Sequence, residues 1–282
     1  MSLPKISAVI TTYKKETLRL LDLLIGSAHK LNYPKELIDF TIVGPKRNKI
    51  EYEWENVKVL YPEPEDFTYA YAINYGVANT KSDMIWILND DVIVTKNSLK
   101  NLVESFKGLD DKSLVVSATN TDNGVFFEGM FPIKHEGRNI LFSDRFYKYE
   151  DWKEYVYSLQ EAESPYPFLL ASHPFICPVS MLMARKAFEE IGPFEEKLLM
   201  CGEELDYCMR AANLGYKFKI QMSSLVWHFG SSSSFDTTEE QRVVRAITFY
   251  EKWGFIPPQN PEVMVAAANK IKELGIVADI RL

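Results

Sequence analysis

The sequence predicts an α/β protein with a mainly parallel sheet flanked by helices and a helical C-terminal extension. Three observations point there. Apolar, β-branched runs alternate with helical spacings over the first ~110 residues. One of those runs, Met84-Ile85-Trp86-Ile87-Leu88, is apolar on both faces, as in the middle of a covered parallel sheet. The tail carries two helical patterns, Glu239 to Trp253 and Pro261 to Leu274.

In order along the chain, Ile6 to Ile10 is the first strand, and Thr11-Thr12-Tyr13-Lys14-Lys15 is a loop. Leu18, Leu21, Leu24, Ile25 and Ala28 recur at helical spacing until Asn32-Tyr33-Pro34 stops the helix. Phe40 to Val43 is a strand ended by Gly44-Pro45, Val57 to Leu60 is another, and Tyr69 to Asn79 is helical. Beyond the Met84 strand the pattern loosens. Val115 to Ala118 and Val125 to Phe131 read as strands, and Glu128 to Pro167 as an aromatic-rich irregular stretch. Pro178 to Ala184 is a strand, Arg185 to Ile191 a short helix, and Glu203 to Leu214 a helix stopped by Gly215. Two further strands are expected near Phe218 and Val226.

Length and composition suit one large α/β domain, or one domain with an appendage: 282 residues, 46% apolar and 25% charged. A net charge of −7 disfavours a broad basic groove, so no nucleic-acid partner is expected. The three cysteines, Cys177, Cys201 and Cys208, form no CxxC pair, which points to a reducing, cytoplasmic compartment. No signal-peptide pattern precedes the first strand. Phe168 to Ala184 lacks formal charge, but His173, Pro174 and Pro178 interrupt it, so no transmembrane segment is expected. Peripheral association with a membrane is left open, as is the oligomeric state.

Four groups of residues could carry chemistry. Asn89-Asp90-Asp91 leaves the carboxyl end of the buried strand, where α/β sheets bind ligands and where carboxylates suit a hard cation shared with phosphates. Asn and Asp also favour plain turns. Glu203, Glu204 and Asp206 open a helix; one could act as a base, although acidic residues also complement a helix N-terminus. Asp206 and Arg210 are spaced as an i,i+4 ion pair, whereas Glu203 and Glu204 have no such match along the helix. His228, between Trp227 and Phe229, reads as a packed core histidine or a metal ligand. Tyr13 could cover a flat base, and the aromatics from Phe142 to Tyr157 read equally as core or sugar platform.

In order, these segments resemble family 2 of the nucleotide-sugar glycosyltransferases, which have the GT-A fold, and within it the rhamnosyltransferase-like members. Ala8 to Tyr13 resembles the opening strand and loop, Asn74-Tyr75-Gly76 the Asn-x-Gly helix, and Ser82 to Val92 the strand ending in a DxD-type motif. Arg185-Lys186-Ala187-Phe188, Ile191-Gly192-Pro193-Phe194-Glu195-Glu196 and Glu203-Glu204-Leu205-Asp206 with Arg210 resemble the family's most specific signature. His228-Phe229-Gly230-Ser231-Ser232 resembles its H-x-x-G-S run. This sequence departs from the pattern at Gly44-Pro45, where many members carry an acidic base reader. It also has Asn89 at the first DxD position and Glu204 where Asp is usual.

The resemblance implies an inverting, metal-dependent transfer of a hexosyl or deoxyhexosyl group from a nucleotide-diphosphate donor to an acceptor hydroxyl. The base would be Glu204; Thr11, Tyr13, Asn74, Asn89 and Asp90 would face the donor; Asp91 and His228 would hold Mn²⁺ or Mg²⁺. A UDP- or dTDP-sugar and a glycan or other hydroxyl acceptor are the expected partners. Residues 1–235 would form the GT-A domain, about 1–110 on the donor side and about 111–235 on the acceptor side, and 236–282 the extension. A carboxylate-pair glycoside hydrolase and a non-catalytic sugar-binding protein are the alternatives.

Overall fold

Strand β1 (Ile6–Thr11) is buried along its whole length, because parallel strands cover both neighbours and helices cover both faces. The computed structural model describes residues 3–63, 67–106, 112–121, 124–126, 128–135, 138–145, 175–176, 179–198, 202–229, 238–254, 256–257 and 261–276. Parallel to β1 run β2 (Ile38–Val43) and β4 (Met84–Asn89), with β3 (Val57–Leu60) outside β2. Helices α1 (Leu18–Ala28) and α2 (Tyr69–Ala78) make the crossovers. After β4 come β5 (Val92–Val94), α3 (Ser98–Ser105), β6 (Ser113–Thr121) and β7 (Gly124–Phe126). Then follow β8 (Glu128–His135), β9 (Arg138–Arg145), β10 (Phe175–Ile176), β11 (Ser180–Ala184), α4 (Arg185–Ile191), α5 (Glu203–Asn213) and β12 (Lys217–His228). Helices α6 (Glu239–Trp253) and α7 (Pro261–Leu274) complete the described chain.

The main sheet has the order β3-β2-β1-β4-β11-β6-β12-β5, with β7 on β6. Only β11, β5 and β7 run against their neighbours. The alternation of side chains along β4 feeds two cores. Trp86 and Leu88 pack with α1 and α3, while Ile85 and Ile87 pack with α2, α4 and α5. The apolar character of that strand on both faces is thereby explained.

One buried polar thread crosses the sheet. Trp86 Nε1 donates to Ser180 Oγ at 2.9 Å. Ser117 Oγ lies 2.8 Å from Ser180 Oγ and 2.9 Å from Ser224 Oγ, and Ser224 Oγ donates to the Ser98 carbonyl. Each hydroxyl can accept from one side and donate to the other, so the thread is satisfied from β4 to α3 without water.

Three expectations change. The stretch from Glu128, expected to be irregular, begins with the antiparallel β8–β9 hairpin, which joins β10 in a separate three-stranded sheet. Residues 146–167 lie outside the described residues. The run Val125 to Phe131 divides between β7 and β8. The two strands expected near Phe218 and Val226 are one strand, β12. Gln221 pairs with Ser117 and Leu225 with Ala118, so three residues bulge out between them. Asn101 and Ser98 of α3 hold that bulge through Ser223 O and Ser224 Oγ.

Helix α5 enters β12 through the short Leu214-Gly215-Tyr216 turn at the amino end of that strand. Because β12 runs parallel to β6 and hence to β4, the N-terminus of α5 rises toward the carboxyl edge of the sheet. Asp90, Asp91 and His228 stand at that same edge. Helix α6 carries the Thr238/Gln241 capping box and packs on α5 through Phe249 and Trp253. Among the described residues no helix is long and apolar enough to cross a membrane.

Candidate active site

Asn89-Asp90-Asp91 is a turn between the end of β4 and β5, and its three side chains take three directions. Asn89 lies opposite Thr11, its amide N–H bonds Val179 O, and its Oδ1 is 3.4 Å from the Tyr69 hydroxyl. Asp90 is 1% exposed and turns toward α1, where Oδ2 accepts from Thr17 Oγ1 at 3.0 Å. Asp91, also 1% exposed, faces β12, and its Oδ1 lies 3.2 Å from His228 Nε2.

The Asp91–His228 contact has the distance of an ion pair, yet Oδ1 receives no well-aligned hydrogen bond. The distance also fits two ligands on adjacent corners of one hard cation, which with bonds of about 2.1 Å stand about 3 Å apart. The backbone sets this spacing. His228 pairs with Val92, and Phe229 N–H bonds Asp91 O at 3.0 Å, so the end of β12 is clamped beside the turn. A carboxylate oxygen suits Mn²⁺ or Mg²⁺ and an imidazole suits first-row transition ions, and among the described residues no third acidic, His or Cys side chain joins them. Such a cation completes its shell with water and substrate phosphate oxygens, so two protein ligands are sufficient.

The loop after β1 meets the loop after β2. Thr11 is buried at the strand end, and Thr12 N–H bonds Val43 O. Thr12 Oγ1 is buried with no hydrogen-bond partner among the described residues, a polar group left for something else to satisfy. The half-buried ring of Tyr13 meets Phe67 edge-on at 5.6 Å, carries the Arg47 guanidinium over its face at 4.7 Å, and has its carbonyl bonded by Asn48 Nδ2. Gly44 is closely covered here: a Cβ would stand 2.6 Å from Ile50 Cδ1 and 3.0 Å from Thr12 Cγ2, so a larger residue at this position would require those side chains to shift.

Asn74 makes a structural clamp. Its Oδ1 accepts from Phe194 N–H at 2.8 Å, and its Nδ2 donates to Phe194 O and Glu196 Oε1. The 185–210 signature is largely a brace of the same kind. Arg185 bonds Ser82 O and Thr80 Oγ1, and its burial lowers its pKa. Gly192 takes φ +87°, Phe194 stacks on Tyr207 at 4.2 Å, and Arg210 donates to Ile191 O, Pro193 O and Asp206 Oδ2. The expected Asp206–Arg210 pair is therefore present, and Asp206, fully buried, also accepts from Trp253 Nε1 and Lys252 Nζ.

Glu203 is buried and Glu204 half-buried in the first turn of α5, and each has a polar interaction of its own. The structure thus brings Asp91 and His228 into contact. Thr11 and Asn89 pair across adjacent strands, with Tyr13 in the loop that follows β1 and Glu204 on a helix end at the same sheet edge. Sequence reasoning missed Thr17, Arg47 and Trp253. The partners of Thr17 and Trp253 are 73 and 47 residues away and leave no local signal; Arg47 could have been suspected from the basic run Lys46-Arg47-Asn48-Lys49.

A mainly parallel sheet whose carboxyl edge gathers a carboxylate–histidine pair, an aromatic-lined loop and a helix start with acidic residues has the layout of a GT-A-type α/β fold. Comparison with solved structures agrees. The chain is similar to GalNAc-T7 crystallised with UDP, GalNAc and Mn²⁺ (TM-score 0.59, 16% identity, 88% of this chain and 51% of that one). It is also similar to the mannosyltransferase PcManGT from Pyrobaculum calidifontis in complex with GDP-Man and Mn²⁺ (0.55, 14%, 99% and 77%). A third similar structure is S. aureus TarS 1–349 (0.51, 13%, 95% and 72%). The chain spans about half the length of GalNAc-T7. No curated protein matches it by sequence. Residues 4–246 match the family described as glycosyltransferase like family 2, and the chain belongs to that family.

Proposed function

We propose that this chain is an inverting, Mn²⁺- or Mg²⁺-dependent glycosyltransferase that moves a hexosyl or deoxyhexosyl group from a UDP- or dTDP-sugar to a hydroxyl of a glycan or other acceptor. The observation that carries the reading is the pair of buried Asp91 and half-buried His228, 3.2 Å apart and clamped at the carboxyl edge of the sheet in a member of this family.

Asp91 and His228 would hold the cation, which when bound neutralises charge on the departing diphosphate. Thr11, Thr12 and Tyr13 contact the base and ribose side of the donor, and Asn89 borders it. Asp90 and Asn74 serve the donor indirectly: one fixes the DxD-type turn on Thr17, the other fixes α2 on Phe194. Glu204 takes the proton from the acceptor hydroxyl as that oxygen attacks the anomeric carbon from the face opposite the diphosphate. Burial of the neighbouring Glu203, Leu205 and Asp206 limits water around that proton. Residues 111–235 supply the acceptor side, residues 236–282 form the extension, and a cytoplasmic setting accords with the cysteine usage.

The test is nucleotide binding by calorimetry with UDP, dTDP and GDP, with and without Mn²⁺, followed by release of the matching nucleoside diphosphate from a panel of UDP- and dTDP-hexoses. Mn²⁺-dependent binding of UDP or dTDP, lost in Asp91→Ala, is expected. Glu204→Gln should keep donor binding and lose about 10²–10⁴ in turnover. Tighter GDP binding overturns the pyrimidine preference. Near wild-type turnover of Glu204→Gln, or a product of retained configuration by NMR, removes Glu204 as the base.

A further inference from the structure

The helix that carries Glu204 is held at its first turn by residues that the family match does not reach. Three of them, Phe249, Lys252 and Trp253, belong to α6 and lie beyond residue 246. Trp253 Nε1 donates to Asp206 Oδ1 at 2.9 Å in a buried setting, and Lys252 Nζ reaches the same oxygen at 2.6 Å. Asp206 itself is fully buried, with its other oxygen on Arg210 Nε. Phe249, also fully buried, covers Gly202, the residue that caps the start of α5; a Cβ there would stand 3.0 Å from Phe249 Cδ2. Gly202 takes φ +129° and bonds Asp206 N–H through its carbonyl, so the turn holding Glu203 and Glu204 is closed at one end by Phe249 and at the other by the Asp206 cluster. A carboxylate that must sit within hydrogen-bond reach of an attacking hydroxyl depends on that turn for its position.

We infer that α6 is a positioning element for the reaction, and that Trp253 and Lys252, acting through Asp206, hold the first turn of α5 so that Glu204 meets the acceptor. This rests on the reading of Glu204 as the base, and the test separates the two. Hydrogen exchange followed by mass spectrometry needs no substrate. In Trp253→Phe and in Lys252→Met the peptide covering 202–210 should exchange about tenfold faster, with peptides of β1 and β4 unchanged. Unchanged exchange in both variants, or an acceleration spread evenly over the sheet, overturns the inference. The second measurement is nucleoside-diphosphate release from the best donor of the panel with Mn²⁺. Trp253→Phe should lower kcat about tenfold while donor KM stays within about twofold. In the Glu204→Gln background the same substitution should cost nothing further, because a residue that acts only through the base has nothing left to position. An equal loss in both backgrounds, or a loss expressed in KM, overturns positioning while leaving the base assignment intact. Full turnover by Glu204→Gln alone removes the base, and the exchange result then still decides whether α6 orders α5.

Discussion

Replacing Gly76 by alanine sets two effects against each other, and the structure decides between them. Gly76 lies inside α2, where alanine is ordinarily favoured by about 1 kcal/mol. A Cβ at this position, however, would stand 2.5 Å from Val9 Cγ1 and 3.1 Å from Val43 Cγ2. Both valines are fully buried on β1 and β2, and a β-branched side chain has few rotamers into which to retreat. The helix must lift off the sheet, and overpacking of this kind costs about 1–3 kcal/mol. The net expectation for Gly76→Ala is a loss of up to about 2 kcal/mol. The lift also draws Asn74 away from the Phe194 backbone it bonds at 2.8 and 3.0 Å, so the junction between α4 and α5 loosens with it. Urea denaturation followed by circular dichroism measures the change, with a matched substitution at the exposed Ala78 as control. A Gly76→Ala protein more stable than the parent by about 1 kcal/mol would refute the argument, because it would show that the contact yields without cost.

Asp206→Ala should cost about 3 kcal/mol, at the low end for breaking a buried ion pair, since Arg210 keeps its two carbonyl partners and Lys252 can reach water. Urea midpoints check it, and a loss below about 1 kcal/mol would mean the cluster is not held as described. Ser180→Ala leaves Trp86 Nε1 buried without its acceptor and should cost about 1–3 kcal/mol, whereas Ser180→Thr should restore part of the loss. Glu190 accepts from Lys112 Nζ and from the Tyr216 hydroxyl, both at 2.8 Å, and these bonds hold its carboxyl below the usual glutamate range. A depressed folded-state value stabilises fully above the unfolded value and is lost as pH falls through the lowered one. Acid unfolding of Glu190→Gln should therefore be less steep below the ordinary glutamate pKa, and an unaltered slope would show that Glu190 contributes nothing there.

The architecture was legible because its signals are local. Met84 to Leu88 reads as a covered strand since each of its side chains is apolar, and α1, α2 and α4 to α7 announce themselves through spacing, Gly stops and caps. The motif order was enough to name the family. Asp91 and Glu204 were legible only as chain positions, one at a strand end and the other at a helix start.

What the sequence by itself determined is therefore the set of elements, their alternation, and which segments end at the carboxyl edge. The tertiary structure decided the rest. It turned the three neighbours Asn89, Asp90 and Asp91 in different directions and gave Asp90 to Thr17. It bulged β12 so that its end meets the turn, bringing His228 to Asp91 across 137 residues of chain. It also made the Arg185 to Arg210 signature a brace and extended that brace to Trp253 in the C-terminal helix. The physical reason is common to these cases. Hydrophobic periodicity and capping act between residues one or two turns apart and are written in the order of the chain. A buried hydrogen bond or a contact such as Asp91–His228 depends on which distant backbones the folded sheet carries to within about 3 Å.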